Sequence, residues 1–304
     1  MVQVMIQMAA LIGLGVVWRW LQPGGLDADR ARYAVATLVY YLLLPALILS
    51  VLWEAPLGLE TGRIALSAAA GVVAVLGLTW LVLRPVGVSR RLQGTLLLAA
   101  AWPNATYLGL PVLEATYGEW ARRIAIQYDL FACLPLLMTV GVLIARHHGN
   151  AGDPENPLLT LVKVPPLWAA ALAATLNVGG VAPPPPLADL LADIGDSVPA
   201  LMLLALGMGL TWGDWRWSLV PAAGLVVVLQ LAVQPALVAG LGAWSGLTGE
   251  PWQAVALEAA MPTMILGVVL CDRYGLDTGL YAKAVTLSTV LSLATLPAWF
   301  RILA

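Results

Sequence analysis

Two long apolar stretches of this chain are each interrupted near their middle by residues that stop a helix. The first, Leu92–Leu113, is broken at residues 102–105, which read Trp-Pro-Asn-Ala. The second, Trp252–Cys271, is broken at residues 260–263, which read Ala-Met-Pro-Thr. Each stretch is long enough to cross a bilayer. Proline donates no backbone N–H, and lipid cannot satisfy the groups it frees, so such breaks are tolerated only inside protein or beside a water-filled cavity. These sites, called the first break and the second break, predict a polar region in mid-membrane.

The composition is typical of a chain that lies mostly in lipid. Of its 304 residues, 61% are hydrophobic and 11% are charged, and the net charge is −2. A soluble domain is about 25% charged. We therefore predict an all-α integral membrane protein in contact with the lipid bilayer, without the basic surface that nucleic acid requires. Ten segments are apolar enough to span: Val4–Trp20, Tyr33–Trp53, Ile64–Leu83, Leu92–Leu113, Ala121–Ala145, Leu158–Val178, Leu187–Thr211, Leu219–Trp244, Trp252–Cys271 and Leu280–Ile302.

The two breaks occupy corresponding places in two similar halves of the chain. After each break the sequence continues with Leu-Gly and then with Tyr-Gly, at an offset of about 158 residues. Five segments in each half is an odd number, so the second half must have the opposite orientation in the membrane. The sequence therefore predicts an inverted repeat of residues 1–150 and 151–304, the architecture of many secondary transporters.

Basic residues indicate the orientation of the segments. If the N-terminus is outside, eleven Lys and Arg residues fall on the cytoplasmic side and four on the outer side. Because positively charged loops stay in the cytoplasm, both termini are expected on the outer face. The cytoplasmic group is Arg19, Arg30, Arg32, Arg84, Arg90, Arg91, Arg146, Lys163, Arg216, Arg273 and Lys283, and the outer group is Arg63, Arg122, Arg123 and Arg301.

The half-helix ends at the breaks predict a binding site for an anion. A helix N-terminus carries about half a positive charge and free N–H groups, so two converging N-termini can hold a carboxylate without a lysine. A single proline kink would more simply serve packing, but two kinks in register across an inverted repeat favour a binding site. The predicted substrate-binding residues are Pro103, Asn104, Thr106, Tyr107, Asp129, Pro262 and Thr263.

Three carboxylates lie inside the predicted segments: Asp129, Asp196 and Glu258. Acids within a membrane are costly and by default mark the path of an ion, proton or substrate. For Asp129 and Glu258 we favour a functional role, and both are candidates for ion or proton coupling if transport is coupled to H⁺ or Na⁺. The alternative for Asp129 is a hydrogen-bonded structural acid. The alternatives for Glu258 are a charge that stabilises a helix start and a position in a water-filled outer vestibule. For Asp196 we favour a structural role. No basic residue is clearly placed to pair with any of the three.

Other chemistries find no support in the sequence. The adjacent His147 and His148 are expected in a polar loop, and they are too few for a metal site. Cys133 and Cys271 lie in apolar segments and are expected to be buried thiols rather than a disulfide. The sequence contains no phosphate-binding loop and no legible nucleophile–base spacing. We therefore predict that the protein is not an enzyme and has no catalytic residues, metal or cofactor.

The residues around the first break resemble those of a known family. The run Pro103–Gly118, PNATYLGLPVLEATYG, is similar to the fourth-helix motif of the auxin efflux carrier family. That family includes plant PIN-type auxin carriers and bacterial carriers linked to malate and malonate. Weaker matches at Tyr40–Leu47, Asp196–Leu210 and Ala259–Tyr274 extend the resemblance over nearly the whole chain.

The resemblance implies ten helices in two inverted five-helix repeats, similar to the bile-acid sodium symporter fold. Segments one, two, six and seven would form a scaffold and a homodimer face. Segments three to five and eight to ten would form a mobile transport domain, in which segments four and nine cross. Elevator-type transport of an organic anion is implied, with Asn104 as the crossover asparagine and Asp129 at a polar position that lines the site.

We therefore predict a secondary active efflux carrier for a small organic anion, such as a carboxylate, in the bacterial inner membrane. The alternatives are a proton- or sodium-coupled dicarboxylate uptake carrier, or a non-transporting sensor or channel on the same fold. The chain departs from the plant carriers because Thr263 stands opposite Asn104 in the repeat, and because the lysine and aspartate of their segments two and three are absent. Their long cytoplasmic loop is absent as well. These differences favour a small bacterial-type carboxylate, or another anion of unknown identity, over auxin.

Overall fold

The computed structural model describes residues 2–150, 162–213 and 220–304. Seven helices within these ranges, α1, α2, α3, α6, α8, α9 and α12, are long and apolar enough to cross a membrane. The prediction of a multi-span helical membrane protein is thereby confirmed for the described residues. In chain order the helices are α1 (Val2–Leu21), α2 (Ala28–Trp53), α3 (Leu59–Leu83), α4 (Arg90–Ala101), α5 (Leu110–Tyr117), α6 (Glu119–His148), α7 (Pro165–Val178), α8 (Pro185–Gly209), α9 (Val220–Ser245), α10 (Gly249–Ala259), α11 (Gly267–Tyr274) and α12 (Thr278–Leu303).

Two of the predicted segments are interrupted at the positions that their prolines indicate. The first break separates α4 from a π-helical turn, Ala105–Gly109, that leads into α5. The second break separates α10 from α11, which begins at Gly267. The start of predicted segment six (residues 158–161), the first residue of segment eight (residue 219) and Arg216 lie outside the described residues.

Local chemistry sets several helix ends. The Asp27 side chain caps α2 by accepting hydrogen bonds from the N–H groups of Asp29 and Arg30, so this helix begins before its apolar run. The repeated Tyr-Gly pair ends both interrupted segments, because Gly118 (φ 94°) and Gly275 (φ 68°) adopt positive φ angles that favour glycine. The internal sequence similarity therefore includes the stop signals as well as the breaks.

One group of helices consists of α1, α2, α7 and α8. Helix α1 packs against the second half of α8, and α7 packs against the second half of α2. Gly15 and Gly207 face each other so closely that a Cβ atom on either would collide with the backbone of the opposite helix. On the other pair, the Asn177 amide nitrogen donates to the carbonyl oxygens of Trp53 (2.7 Å) and Ala55 (2.8 Å).

A second group surrounds the breaks. Helix α3 packs against both α4 and α9, α9 packs against α10, and α4 and α9 each contact α12. The first half of α6 contacts α10 and α3. Large apolar side chains on the outward faces of the molecule, such as those of Leu66, Trp168 and Trp244, are more than half exposed. In a membrane protein these side chains contact lipid tails rather than water.

Candidate substrate site

The two breaks lie against each other and pair through their backbones. The N–H of Asn104 donates to the carbonyl oxygen of Pro262 at 2.7 Å. The N–H of Met264 donates to the carbonyl oxygen of Trp102 at 2.8 Å. This short antiparallel pairing satisfies groups that neither interrupted helix can satisfy internally, which is the condition for non-helical backbone inside a membrane protein. We call this paired region, residues 102–104 and 262–264, the crossing.

Two glutamines on α9 hold the carbonyl ends beside the crossing. The Nε2 atom of Gln234 donates to the last carbonyl oxygen of α4, on Ala101, at 3.1 Å. The Nε2 atom of Gln230 donates to the carbonyl oxygen of Met261 at 3.0 Å. Both glutamines are fully buried. The sequence analysis missed them, although two glutamines four residues apart in an apolar helix share one face and were a visible signal.

The first break is followed by the start of a helical turn, where the first backbone N–H groups have no acceptor inside the turn. The first hydrogen bonds of the following π-helical turn run from the N–H groups of Leu108 (3.2 Å) and Gly109 (3.0 Å) to the carbonyl oxygen of Asn104. The N–H groups of Thr106 and Tyr107 therefore precede the hydrogen-bonded part of the turn. Free N–H groups at a helix start favour an anion.

A small cavity of about 50 Å³ lies beside this turn. One water molecule needs about 10–15 Å³ on a comparable measure, so the cavity has room for a few water molecules. Four of the predicted substrate-binding residues meet here: Asn104, Thr106, Tyr107 and Asp129. Apolar side chains supply most of the remaining wall. The other lining residues are Tyr40, Leu44, Leu130, Leu134, Pro166, Met264 and Leu266.

Asn104 and Asp129 give this cavity its polarity. The Asn104 amide is 1% exposed, and among the described residues neither its nitrogen nor its oxygen has a hydrogen-bond partner. The Thr106 hydroxyl donates to one carboxylate oxygen of Asp129, and the other oxygen, Oδ1, is buried without a partner. Buried polar groups in proteins are nearly always paired, so these atoms are suited to a bound polar molecule.

The remaining predicted residues form the crossing and are not among those that line the cavity. The Thr263 hydroxyl donates to the carbonyl oxygen of Ala99 at 2.9 Å, and the Thr263 N–H donates to the Ser288 hydroxyl at 3.2 Å. Pro103 is bridged to Thr263 across the crossing. The difference in sequence between the two breaks therefore has a structural counterpart. The Asn104 amide has no hydrogen-bond partner among the described residues, whereas the Thr263 hydroxyl binds the backbone of α4.

Glu258 occupies a separate buried position behind the π-helical turn. It is fully buried, and in the described part of the chain neither carboxylate oxygen has a hydrogen-bond partner. Gly109 is packed against this carboxylate so closely that a Cβ atom there would collide with it. Asp129 lies near enough for the two charges to interact. Both carboxylates therefore lie next to the helical turn that follows the first break, Asp129 at the cavity and Glu258 against Gly109.

Asp196 lies away from the cavity and is paired. Its carboxylate is 57% exposed and accepts a hydrogen bond from Arg122 at 2.8 Å. Arg122 also binds Glu114. The expectation that no basic residue is placed to pair with Asp196 is therefore wrong, because the fold brings Arg122, in the first turn of α6, to α8. The cysteines are as predicted: Cys133 and Cys271 are buried, free thiols.

The helices, the crossing and the polar cavity define the class of this molecule as a multi-span membrane protein with a polar site between two interrupted helices. The chain belongs to the membrane transport protein family, whose sequence profile matches residues 3–300. It is 27% identical over 303 residues to an uncharacterized transporter of Methanothermobacter thermautotrophicus, covering 99% of this chain and 98% of that protein. It is 22% identical over 213 residues to the uncharacterized transporter YfdV of Escherichia coli K12, covering 67% and 66% of the two chains. An uncharacterized transporter of Methanocaldococcus jannaschii is 26% identical over 217 residues, with coverages of 69% and 68%. A transport function in the membrane follows from the family.

Proposed function

We propose that the protein is a secondary active efflux carrier for a small organic anion, such as a carboxylate, and that the anion binds in the cavity beside the crossing. The unpaired amide of Asn104 carries this proposal, because its N–H₂ group can donate to a carboxylate where no lysine or arginine lines the described wall. The free N–H groups of Thr106 and Tyr107 add the partial positive charge of a helix start. The family and the named transporters among its relatives support transport rather than enzymatic chemistry.

An inverted repeat of residues 1–150 and 151–304 is supported by the way the helices pair. In the ten-segment numbering, α1 is segment one, α2 segment two, α7 segment six and α8 segment seven. Segment one packs against segment seven, and segment six packs against segment two. Exchanging each segment for its counterpart five places along converts one pairing into the other. The contacts of α3 with α4 and of α9 with α10 are exchanged in the same way, and the crossing pairs the two breaks with each other.

An elevator-type movement is supported by the separation of the helices into two packing groups. The group of α1, α2, α7 and α8 would be the scaffold and would form the homodimer face. The group around the crossing would be the transport domain. The cavity lies between them, since Tyr40 and Pro166 belong to the first group whereas Asn104 and Asp129 belong to the second. A site at this boundary is exposed to either side of the membrane when one group slides along the other.

Coupling to H⁺ or Na⁺ through Asp129 and Glu258 is the second part of the proposal. Both acids are buried beside the first break, and the buried oxygens of Glu258 lack a partner among the described residues. An uncompensated charge in such a place is costly, so a proton or a cation stabilises it. If the coupling ion enters with the anion, the protein is instead a proton- or sodium-coupled dicarboxylate uptake carrier.

A thermal-shift screen followed by counterflow in proteoliposomes tests this function. The purified protein is heated with acetate, benzoate, succinate or malate, each with and without sodium. A ligand that binds only the folded state raises the melting temperature by mass action. A stabilising carboxylate that shows saturable counterflow and is recovered chemically unchanged supports a carrier. Flux without counterflow indicates a channel, binding without flux a sensor, and chemical change an enzyme. The absence of any carboxylate binding would refute the proposal.

The expected location is the bacterial inner membrane with both termini on the outer face. The eleven-to-four distribution of Lys and Arg supports this orientation, although Arg216 lies outside the described residues. Labelling a cysteine added after Ala304 in intact spheroplasts, compared with one that replaces the exposed Asn150 in the loop expected on the cytoplasmic side, tests it directly.

A further inference from the structure

A second cavity, of about 200 Å³, adjoins the substrate cavity and contains a single charged side chain among its described lining residues. The charge is that of Arg32 on α2, and we call this space the Arg32 chamber. Its other walls are mostly apolar and come from α2, from Leu206 and its neighbour on α8, and from residues 265–269. Tyr107 and Leu266 line both cavities, so they form the partition between them.

The guanidinium of Arg32 has no strong partner in the described structure. Its nearest carboxylate is that of Asp29, 3.9 Å from Nε, and no hydrogen bond joins them. Asp29 is instead bound by Arg19 at 2.7 Å, and Arg19 also donates to the carbonyl oxygen of Met208. The two arginines and the aspartate together carry a net charge of +1. The Nε atom of Arg32 is buried and unpaired.

This arrangement is suited to an anion. An arginine presents five donors in a planar fork that matches a carboxylate, and it stays charged at every physiological pH. The substrate cavity has the opposite balance, because it contains the Asp129 carboxylate and neutral donors but no cation in its described wall. A positive charge next to that cavity concentrates anions where the cavity alone would not.

We infer that the Arg32 chamber is a second anion-binding site. An anionic substrate binds there transiently on its way to or from the cavity at Asn104, and it must pass the Tyr107 side chain between the two cavities. The identity of the anion as the transported substrate rests on the proposed function. The capture of anions by Arg32 does not, because it depends only on the geometry of α2 and the chamber. The two parts are therefore tested separately.

Cysteine modification measures the anion preference of the chamber without any substrate. Ala36 lines the chamber one helical turn after Arg32, so the Cα atoms of the two residues are about 6 Å apart along the helix axis. In the Ala36→Cys protein with Cys133→Ala and Cys271→Ala, the modification rates by methanethiosulfonate ethylsulfonate (an anion) and methanethiosulfonate ethyltrimethylammonium (a cation) are compared. We expect Arg32→Gln to lower the anion-to-cation rate ratio by about tenfold or more, because the charge acts with opposite sign on the two reagents. Arg32→Lys retains the ratio.

Arg30→Gln is the matched control, since it removes the same charge from the first turn of the same helix at an exposed position that does not line the chamber. It should leave the ratio within about twofold. An equal fall of the anion-to-cation rate ratio in both variants would show that net surface charge alone causes the effect. An unchanged ratio in Arg32→Gln would overturn anion capture by this residue.

Protection by free carboxylates tests occupancy. Benzoate or succinate at about 10 mM, where even a millimolar site is filled, should slow modification of the cysteine at 36 when Arg32 is present but not in Arg32→Gln. If neither carboxylate protects, the chamber is not a carboxylate site. Protection in a protein that shows no counterflow of any carboxylate would leave the anion site standing while the proposed transport function fails.

Discussion

Replacing Asn104 with alanine separates substrate binding from folding. Neither polar atom of the Asn104 amide has a partner among the described residues, and the side chain is 1% exposed. A buried polar group without a partner costs about 1–3 kcal/mol. Asn104→Ala removes two such groups and leaves a slightly larger space beside a cavity that already exists. The substrate-free protein should therefore be as stable as the parent, or more stable by up to about 2 kcal/mol, after the cost of the added space is subtracted.

Binding should change in the opposite direction. A hydrogen bond to a charged group contributes about 1.5–3 kcal/mol, which corresponds to about 10- to 150-fold in a dissociation constant. The loss reaches the upper end if the anion's second oxygen depends on the same amide for its position. Since a carrier typically binds its substrate weakly, a loss of this size removes binding from the range of a thermal-shift measurement.

Scanning fluorimetry of the purified protein with and without a stabilising carboxylate, followed by calorimetric titration, measures both effects. Thr263→Val is the matched control, because it alters the corresponding residue of the second break but removes a hydroxyl that donates to the carbonyl oxygen of Ala99. This control should lower the melting temperature while changing affinity little. An unchanged dissociation constant in a monodisperse Asn104→Ala protein would refute the assignment of the site. Lost binding with unchanged stability in Thr263→Val would show instead that Thr263 contacts the substrate.

Three further changes probe the acids and the crossing. If protons couple to transport, Asp129→Asn should flatten the pH dependence of flux in proteoliposomes, because the amide still accepts from Thr106 but takes up no proton. Gln234→Leu should destabilise the protein by about 1–3 kcal/mol, since the last carbonyl of α4 loses its buried donor; thermal unfolding measures this. Gly109→Ala should abolish transport and lower the melting temperature, and a second change, Glu258→Ala, should restore stability but not coupled flux.

Each of these expectations has a contradicting outcome. An unaltered pH dependence of flux in Asp129→Asn removes that acid from proton coupling. Size-exclusion chromatography detects the other case, in which the pH dependence is lost because the variant is no longer folded. Gln253→Leu, in which a half-buried donor to Leu303 is lost near the chain end, is the control for Gln234 and should cost less. If Gly109→Ala is as stable as the parent, the carboxylate of Glu258 does not lie where the structure puts it.

The breaks were predictable because their cause is local. A proline removes one N–H whatever surrounds it, so the first and second breaks, and the Tyr-Gly stops that follow, could be located in the sequence and matched between the halves. The start of α2 was predicted less well. Its first turn is polar, and the capping hydrogen bonds of Asp27 outweigh the lack of apolar residues there.

Partners of polar side chains were not predictable, because they depend on segments far apart in the chain. Nothing local distinguishes Asp196, which is paired with Arg122 at a separation of 74 residues, from Glu258, which has no hydrogen-bond partner in the described structure. The same applies to Gln234, whose acceptor on Ala101 lies 133 residues away. An acid in an apolar segment indicates that burying its charge is unfavourable. Only the fold decides which group, if any, pairs with that charge.

By itself, the sequence determined that this chain spans a membrane, that two of its segments are broken in register, and that polar residues stand at both breaks. Composition and proline chemistry are sufficient for these conclusions. Only the tertiary structure decided how the two breaks differ. The crossing brings the Thr263 hydroxyl to the carbonyl oxygen of Ala99, whereas the Asn104 amide at the cavity has no hydrogen-bond partner in the described part of the chain. The physical reason is that a hydrogen bond requires two groups within about 3 Å, and that distance is set by packing between helices rather than by the order of residues within them.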